Sequence, residues 1–97
     1  MTPSPQPTPP VIHDATARRF EIILDGHRSE LDYESDGERV VFTHTFVPPE
    51  LRGRGIAEKL VRAGLEWARG EKKRVVPACS YVAAFVQRHA EFKSLIE

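Results

Sequence analysis

The segment from residue 39 to residue 78 passes through a strand, a loop, a helix and a second strand, and that order leaves few folds open. An apolar run over 39–47 leads into a loop with two glycines, an amphipathic helix follows over 54–69, and the run 74–78 is typical of a short buried strand. Such a unit closes as a right-handed parallel crossover, so both strands end at one edge of the sheet. The sequence therefore predicts that the glycine loop and Cys79 are neighbours, with a ligand site between them.

The residues before this unit predict an antiparallel meander. Period-two alternation begins near residue 18, and two Asp-Gly pairs, at 25–26 and 36–37, separate three alternating runs. Asp-Gly between alternating runs favours a hairpin turn. The run 39–47 is apolar on both faces, which predicts a central strand covered on both sides.

The two ends of the chain differ in character. The first ten residues are rich in proline, which has no backbone N–H and does not continue a helix or a central strand. We expect residues 1–17 to form a disordered tail and residues 18–97 to form a single domain. A proline motif that binds a partner domain is the alternative for the tail. Near the other end, Ser80 is placed to cap a last helix.

The composition excludes several classes of protein. Fourteen basic and fourteen acidic side chains give a formal net charge of zero, so no global field attracts nucleic acid or an acidic membrane, and we expect neither as a partner. The single cysteine allows no internal disulfide, and we find no secretory or membrane-spanning pattern, so we expect a cytoplasmic protein. The histidines and the cysteine show no metal-ligand spacing, so we expect no metal.

The glycine loop has the features of a phosphate site. Gly53 and Gly55 let the backbone approach a ligand, and the first turn of the following helix adds unpaired N–H donors and a partial positive charge. A simple turn that begins a helix is the structural alternative. An RNA-binding patch built on Arg52 and Arg54 is a further alternative, although no aromatic side chains are interleaved with these arginines.

At this point the residues resemble a known family. Arg52-x-x-Gly55-x-Ala57 is similar to the Arg/Gln-x-x-Gly-x-Gly/Ala signature of the GCN5-related N-acetyltransferases. His44-Thr45, Val76-Pro77 and the run 81–84 resemble the small single-domain branch of that superfamily, and the resemblance extends over residues 18–92. It implies a minimal α+β (or α/β) fold, in which an antiparallel meander is followed by a β-α-β-α unit with two splayed parallel strands.

The resemblance also implies a cosubstrate, acetyl-CoA. Its pyrophosphate would bind the backbone N–H groups of the loop, its pantetheine arm would pair with the backbone near Phe46 and Val47, and its acyl group would lie between the splayed strand ends. The loop residues concerned are Arg52, Gly53, Arg54, Gly55, Ile56 and Ala57.

Three departures from the family pattern affect the expected chemistry. Asp25-Gly26 leaves no room for the helices that form much of the acceptor cleft in full-length members. Gln87 stands where many members carry a tyrosine that protonates the departing thiolate. The small branch usually carries a glutamate two residues after the histidine, and this chain has Phe46 there.

Three side chains are candidates for catalysis. Cys79 could accept the acetyl group as a thiolate activated by a helix N-terminus, or it could be a small buried apolar residue. His44, on a strand face with apolar neighbours, could be the general base or a hydrogen-bonded core residue. Tyr81 could replace the acid missing at Gln87, or it could serve packing.

These features favour an N-acetyltransferase that acts on an amine of a small molecule or a protein, with an acetylated cysteine as an optional intermediate. The rival interpretation is a non-catalytic acyl-CoA-binding or protein-interaction module. An adaptor whose tail recruits a partner is a third. We expect a monomer or a weak homodimer.

Overall fold

The computed structural model describes residues 9–97, and the proline-rich stretch 1–8 lies outside the described residues. The strands are Ile12–Asp14 (β1), Arg19–Leu24 (β2), His27–Asp36 (β3), Arg39–Phe46 (β4) and Arg74–Pro77 (β5). The helices are Ile56–Gly70 (α1) and Ser80–Arg88 (α2), with 3₁₀ segments at Pro49–Leu51 and Ala90–Leu95.

The five strands form one sheet in chain order. Strands β1 to β4 pair antiparallel, and β4 pairs with β5 in parallel. The predicted α+β fold, an antiparallel meander followed by a β-α-β-α unit, is confirmed. The parallel pairing stops at Phe42 and Pro77, whereas β4 continues to Phe46, so the two strand ends separate.

The domain begins earlier than predicted. Residues 12–14, assigned to the disordered tail 1–17, form β1 and pair with β2, so that part of the prediction is wrong. The cause is His13, whose ring stacks on Phe20 at 4.1 Å between centroids and whose Nε2 lies 2.6 Å from the hydroxyl of Tyr33. A strand of three residues is too short for its alternation to be recognised in the sequence.

The helices cover one face of the sheet only. Helix α1 packs across β2, β3, β4 and β5 through an apolar stripe at helical spacing that includes the buried residues Leu60, Val61 and Leu65. Side chains of α2 and of the 3₁₀ segment Ala90–Leu95 join the same core. The opposite face, which we call the open face, carries the strand side chains that point away from the helices. The prediction that β4 is covered on both sides is therefore wrong.

A β-bulge at Thr43 changes which side chains of β4 face the core. His44 lies opposite Asp32 and Phe42 lies opposite Tyr33, so Thr43 is an extra residue on β4. A single extra residue reverses the alternation of side chains. Phe42 is fully buried in the core, but His44 and Phe46 turn onto the open face, where both are exposed. The expectation that His44 shares the apolar face of β4 is wrong for this reason.

Helix α1 comes close to the sheet at Gly64. A Cβ atom there would lie 2.9 Å from Cε1 of Phe42 and 3.0 Å from Cδ2 of Leu31. We expect Gly64→Ala to lower the free energy of unfolding by about 1–3 kcal/mol, because the added methyl group overpacks the core. Urea unfolding measures the change. The control is Gly70→Ala, at the C-terminal end of the same helix, where a Cβ would meet nothing within 4 Å. Equal effects of the two substitutions would show that helix propensity, and not the close contact, sets the result.

Candidate functional site

A cleft of about 530 Å³ opens where β4 leaves β5. The backbone N–H of Cys79 donates to the carbonyl oxygen of Phe42 at 2.8 Å, which closes the parallel pair. Beyond this bond, residues 43–46 have no partner strand on the β5 side in the part of the chain that the structure describes. The separation of the strands, which the family resemblance implied, thus creates the cleft at the sheet edge where the crossover places both strand ends.

Most of the predicted cofactor residues line this cleft. They are Phe46, Val47, Arg52, Gly53, Gly55, Ile56 and Ala57, and the predicted catalytic residue Tyr81 lines it too. Sequence reasoning missed three further lining residues, Thr45, Leu51 and Glu58. Thr45 could have been found from its place beside His44 in the motif, and Glu58 from its place in the first turn of α1.

The two loop glycines are required by backbone conformation. Gly53 has φ +85° and Gly55 has φ +74°, a region that residues with a Cβ rarely adopt. A Cβ at either position would meet nothing within 4 Å, so close packing does not explain them. The side chain of Arg52 turns back and donates from Nε to the carbonyl oxygen of Val47 at 3.0 Å, which fixes the loop to the end of β4.

The loop ends in a set of free backbone donors. The backbone N–H of Lys59 donates to the carbonyl oxygen of Gly55 at 3.2 Å, the first bond of the helical type in α1. The N–H groups of Ile56, Ala57 and Glu58 precede that bond and have no acceptor within the helix. Together with the helix dipole, these groups give the wall of the cleft a positive end that is able to hold an anion. Arg54, also predicted here, points elsewhere and pairs with Asp25 at 3.5 Å.

Tyr81 faces the cleft from the first turn of α2. Burial and the nearby carboxylate of Glu58 raise the pKa of the Tyr81 phenol, against the opposing effect of Arg88. A phenol with a raised pKa stays protonated at neutral pH, so Tyr81 is available as a proton donor. Arg88 and Glu58 lie 4.0 Å apart and link the two helices at this position.

Cys79 lies beside the cleft but does not line it. Its Sγ is 3.3 Å from the hydroxyl oxygen of Thr45, which does line the cleft. Burial alone would raise the pKa of Cys79, but the Thr45 hydroxyl and the backbone N–H groups of Val82 and Tyr81 outweigh it, and the net result is a lowered pKa. Cys79 is also the residue that caps α2, one position before the predicted Ser80.

His44 lies away from these residues. The bulge puts it on the open face opposite Asp32, and it is not among the residues that line the cleft. The structure thus brings Tyr81 to the cleft, keeps Cys79 one side chain behind it, and places His44 on a different surface. Within residues 9–97 no group of three or more potential ligands is arranged to hold a metal ion, and neither helix is long and apolar enough to cross a bilayer.

Comparisons with known proteins find related sequences. Residues 19–95 match the model of a protein family described as GCN5-related N-acetyl-transferase. Protein NATD1 of Bos taurus is 40% identical over 82 residues, which cover 81% of this chain and 73% of that protein. Protein NATD1 of Homo sapiens is 38% identical over the same length, with the same two shares.

A solved structure has the same fold. It is the solution NMR structure of a GCN5-like N-acetyltransferase candidate from Staphylococcus aureus, with a TM-score of 0.71 and 23% sequence identity. The match covers 90% of this chain and 86% of that one.

Proposed function

Because this chain belongs to the GCN5-related N-acetyltransferase family, we propose that it binds acetyl-CoA in the cleft and transfers the acetyl group to an amine of a small molecule or a protein. The observation that carries the proposal is the backbone at the start of α1, where two glycines with positive φ precede three N–H groups with no acceptor within the helix. This site fits the pyrophosphate of a coenzyme.

The remaining walls of the cleft suit the rest of that ligand. The end of β4 has an unpaired edge, to which the amide groups of an extended arm could add as a further strand would. Phe46, Val47 and Leu51 supply apolar surface beside that edge. The acyl end would then lie at the point where β4 and β5 separate, close to Thr45 and Tyr81.

The protein has a group for the last proton transfer. An amine attacks the thioester carbon, the C–N bond forms, the C–S bond breaks, and the electron pair leaves with the thiolate sulfur. Tyr81 donates its phenolic proton to that sulfur, and the nitrogen of the new amide gives up its extra proton, which restores the Tyr81 phenol. The phenol is protonated at neutral pH, so its proton is available when the thiolate develops. Tyr81 thus protonates the departing thiolate, a role that the amide side chain of Gln87 is unable to perform.

Binding is tested first by thermal stability. A ligand present at a hundred times its Kd stabilises a protein by about 2.7 kcal/mol. For a domain of this size that corresponds to a rise in Tm on the order of 10 °C. If neither coenzyme A nor acetyl-CoA raises Tm, the proposal fails. Binding without transfer to any amine in a broad panel would favour the rival, a non-catalytic acyl-CoA-binding module.

The role of Cys79 is tested separately. We propose direct attack on bound acetyl-CoA, because Cys79 lies behind Thr45 and does not line the cleft. The expected result is that Cys79→Ala retains acetyl transfer within about threefold, a difference of less than 1 kcal/mol. Intact mass after incubation with acetyl-CoA should show no acetyl group on Cys79.

The opposite result defines the covalent route. There the Cys79 thiolate would attack acetyl-CoA, release coenzyme A as its thiolate and hold the acetyl group as a new thioester until an amine takes it. An acetyl group mapped to Cys79, together with loss of transfer in Cys79→Ala, would establish that route. Cys79→Ser, which keeps a hydroxyl near Thr45, controls for the loss of that contact.

A further inference from the structure

The cleft has an inner end between β4 and β5. The backbone N–H of Cys79 donates to the carbonyl oxygen of Phe42 and closes the parallel pair. The side chain of Cys79 reaches Thr45, where Sγ lies 3.3 Å from the hydroxyl oxygen. On β4 the lining of the cleft begins at Thr45 and continues through Phe46 and Val47. Thr45 therefore forms the inner end of the cleft, and we call Thr45 with Cys79 behind it the end wall.

Both residues of the end wall are fixed in place. The N–H of Cys79 is bonded to Phe42, and its carbonyl oxygen accepts the N–H of Ala83 at 3.1 Å in the first turn of α2. The backbone of Thr45 pairs with Leu31 on β3. Thr45 is also β-branched, a type of side chain with few rotamers, and its hydroxyl group contacts Sγ. The end wall is therefore unable to move aside without breaking these contacts.

The hydrophobic core lies beyond the end wall. Cys79 packs against the buried cluster that includes Phe42, Val82 and Phe85, and all three of these side chains are fully buried. Protein interiors are packed about as densely as organic crystals, so such a cluster does not make room for a further group. A ligand group that enters the cleft from the glycine loop therefore stops at Thr45.

The end wall lies where the proposed function places the acyl group. With the pyrophosphate at the start of α1 and the pantetheine arm along the end of β4, the thioester lies close to Thr45 and Tyr81. An amine needs one side of the thioester carbon free for its attack. Carbon atoms added to the acyl chain must then extend toward the end wall, because the other direction is the path of the amine.

We propose that Thr45, held in place by Cys79, sets the upper size of the acyl group that this transferase accepts, so that acetyl fits and butyryl does not. This inference rests on the proposed function and specifies its donor side. Thr45 acts as a specificity residue, because it contacts the methyl end of the acyl group and takes no part in the bonds that form and break. The transfer step is the one given above for acetyl-CoA.

The size of the acyl group should therefore decide which donor is used. One methylene group too many or too few in an apolar pocket changes kcat/KM by about 10- to 200-fold. Butyryl is two methylene groups longer than acetyl. We expect kcat/KM with butyryl-CoA to be at least a hundredfold below that with acetyl-CoA for the same amine, measured as release of coenzyme A. Equal use of the two donors would overturn the inference.

Thr45→Ala tests the end wall directly. This substitution removes two non-hydrogen atoms, which is the number by which butyryl exceeds acetyl. We expect the preference for acetyl-CoA over butyryl-CoA to fall at least tenfold. Thr45→Val is the matched control, since it keeps the shape of the side chain and loses the hydroxyl group, and its preference should stay within threefold of that of the unchanged protein. An unchanged preference in Thr45→Ala, or an equal fall in both variants, would overturn the inference.

A second control separates the end wall from a general loosening of β4. Thr43 lies on the same strand, is exposed and does not line the cleft. Thr43→Ala removes the same two atoms and should leave the preference between the two donors within twofold. If it changed the preference as much as Thr45→Ala does, the size of the acyl group would not be set at Thr45, and the inference would fail.

The contact itself can be observed without turnover and without a substitution. In the absence of an amine we expect an NMR nuclear Overhauser effect between the methyl group of bound acetyl-CoA and the γ-methyl group of Thr45. Contacts of the acetyl methyl group only with Val47 or Leu51, further out in the cleft lining, would overturn the inference.

The two proposals fail in different ways. If neither coenzyme A nor acetyl-CoA raises Tm, the proposed function fails and the inference falls with it. If acetyl-CoA is used but butyryl-CoA is used equally well, the inference alone fails and the proposed function stands. If acetyl-CoA binds without transfer to any amine, the contact between the acetyl methyl group and Thr45 still decides the inference.

Discussion

Tyr81→Phe is expected to lower kcat for acetyl transfer about a hundredfold or more, while acetyl-CoA binding stays nearly unchanged. Tyr81 lines the cleft, and its phenol is protonated at neutral pH. General acids contribute on the order of 10²–10⁴ to the rate. Tyr81→Phe removes the hydroxyl group and its transferable proton but keeps the aromatic ring. Steady-state rates with a saturating amine give kcat, and a thermal shift with acetyl-CoA reports binding.

The chain contains a matched control for this substitution. Its other tyrosine, Tyr33, is buried on the core face of β3 and contacts His13 through its hydroxyl. Tyr33→Phe should cost about 1 kcal/mol of stability through that lost hydrogen bond and should leave kcat unchanged. If both variants lost activity to the same degree, the loss at Tyr81 could not be assigned to proton donation.

Gly55→Val should weaken coenzyme A binding at least tenfold, which corresponds to about 1.4 kcal/mol. Gly55 has φ +74°, which a β-branched side chain adopts only with strain. The loop would relax to a different backbone path, and the N–H groups that follow it would turn away from the ligand. Isothermal titration with coenzyme A measures the loss, and circular dichroism checks that the domain is still folded.

Gly26 is the control for Gly55. Its φ is +75°, and a Cβ there also meets nothing within 4 Å. It lies in the turn between β2 and β3 and does not line the cleft. Gly26→Val therefore imposes a similar strain of about 1–3 kcal/mol but should leave the Kd for coenzyme A within about twofold. Unchanged binding in Gly55→Val would remove the loop from the proposed site.

Local patterns were sufficient to predict much of this architecture. The Asp-Gly turns, the helical stripe of α1 and the crossover from β4 to β5 each follow from a few adjacent residues, and all appear in the structure. The place of the cleft follows from the same rule, since the ends of parallel strands meet at one edge of a sheet.

What could not be predicted depends on contacts between distant residues. The three-residue strand β1 is held by its own residue His13, which contacts Phe20 on β2 and Tyr33 on β3. No glycine or proline near Thr43 marks the bulge in the sequence. Its effect is that every side chain after it on β4 points to the opposite face of the sheet from the one that simple alternation predicts. The position of His44 was therefore predicted wrongly although its strand was predicted correctly.

The open face also affects how molecules of this protein behave toward one another. Within residues 9–97 one face of the sheet is uncovered. It offers a flat surface on which another sheet could stack, and the apolar residues Ile23 and Phe46 are exposed there. The carboxylates of Glu21, Glu30 and Asp32 oppose that stacking, because two copies would bring like charges together. Neutralising these residues should therefore make it easier for the open faces of two molecules to stack.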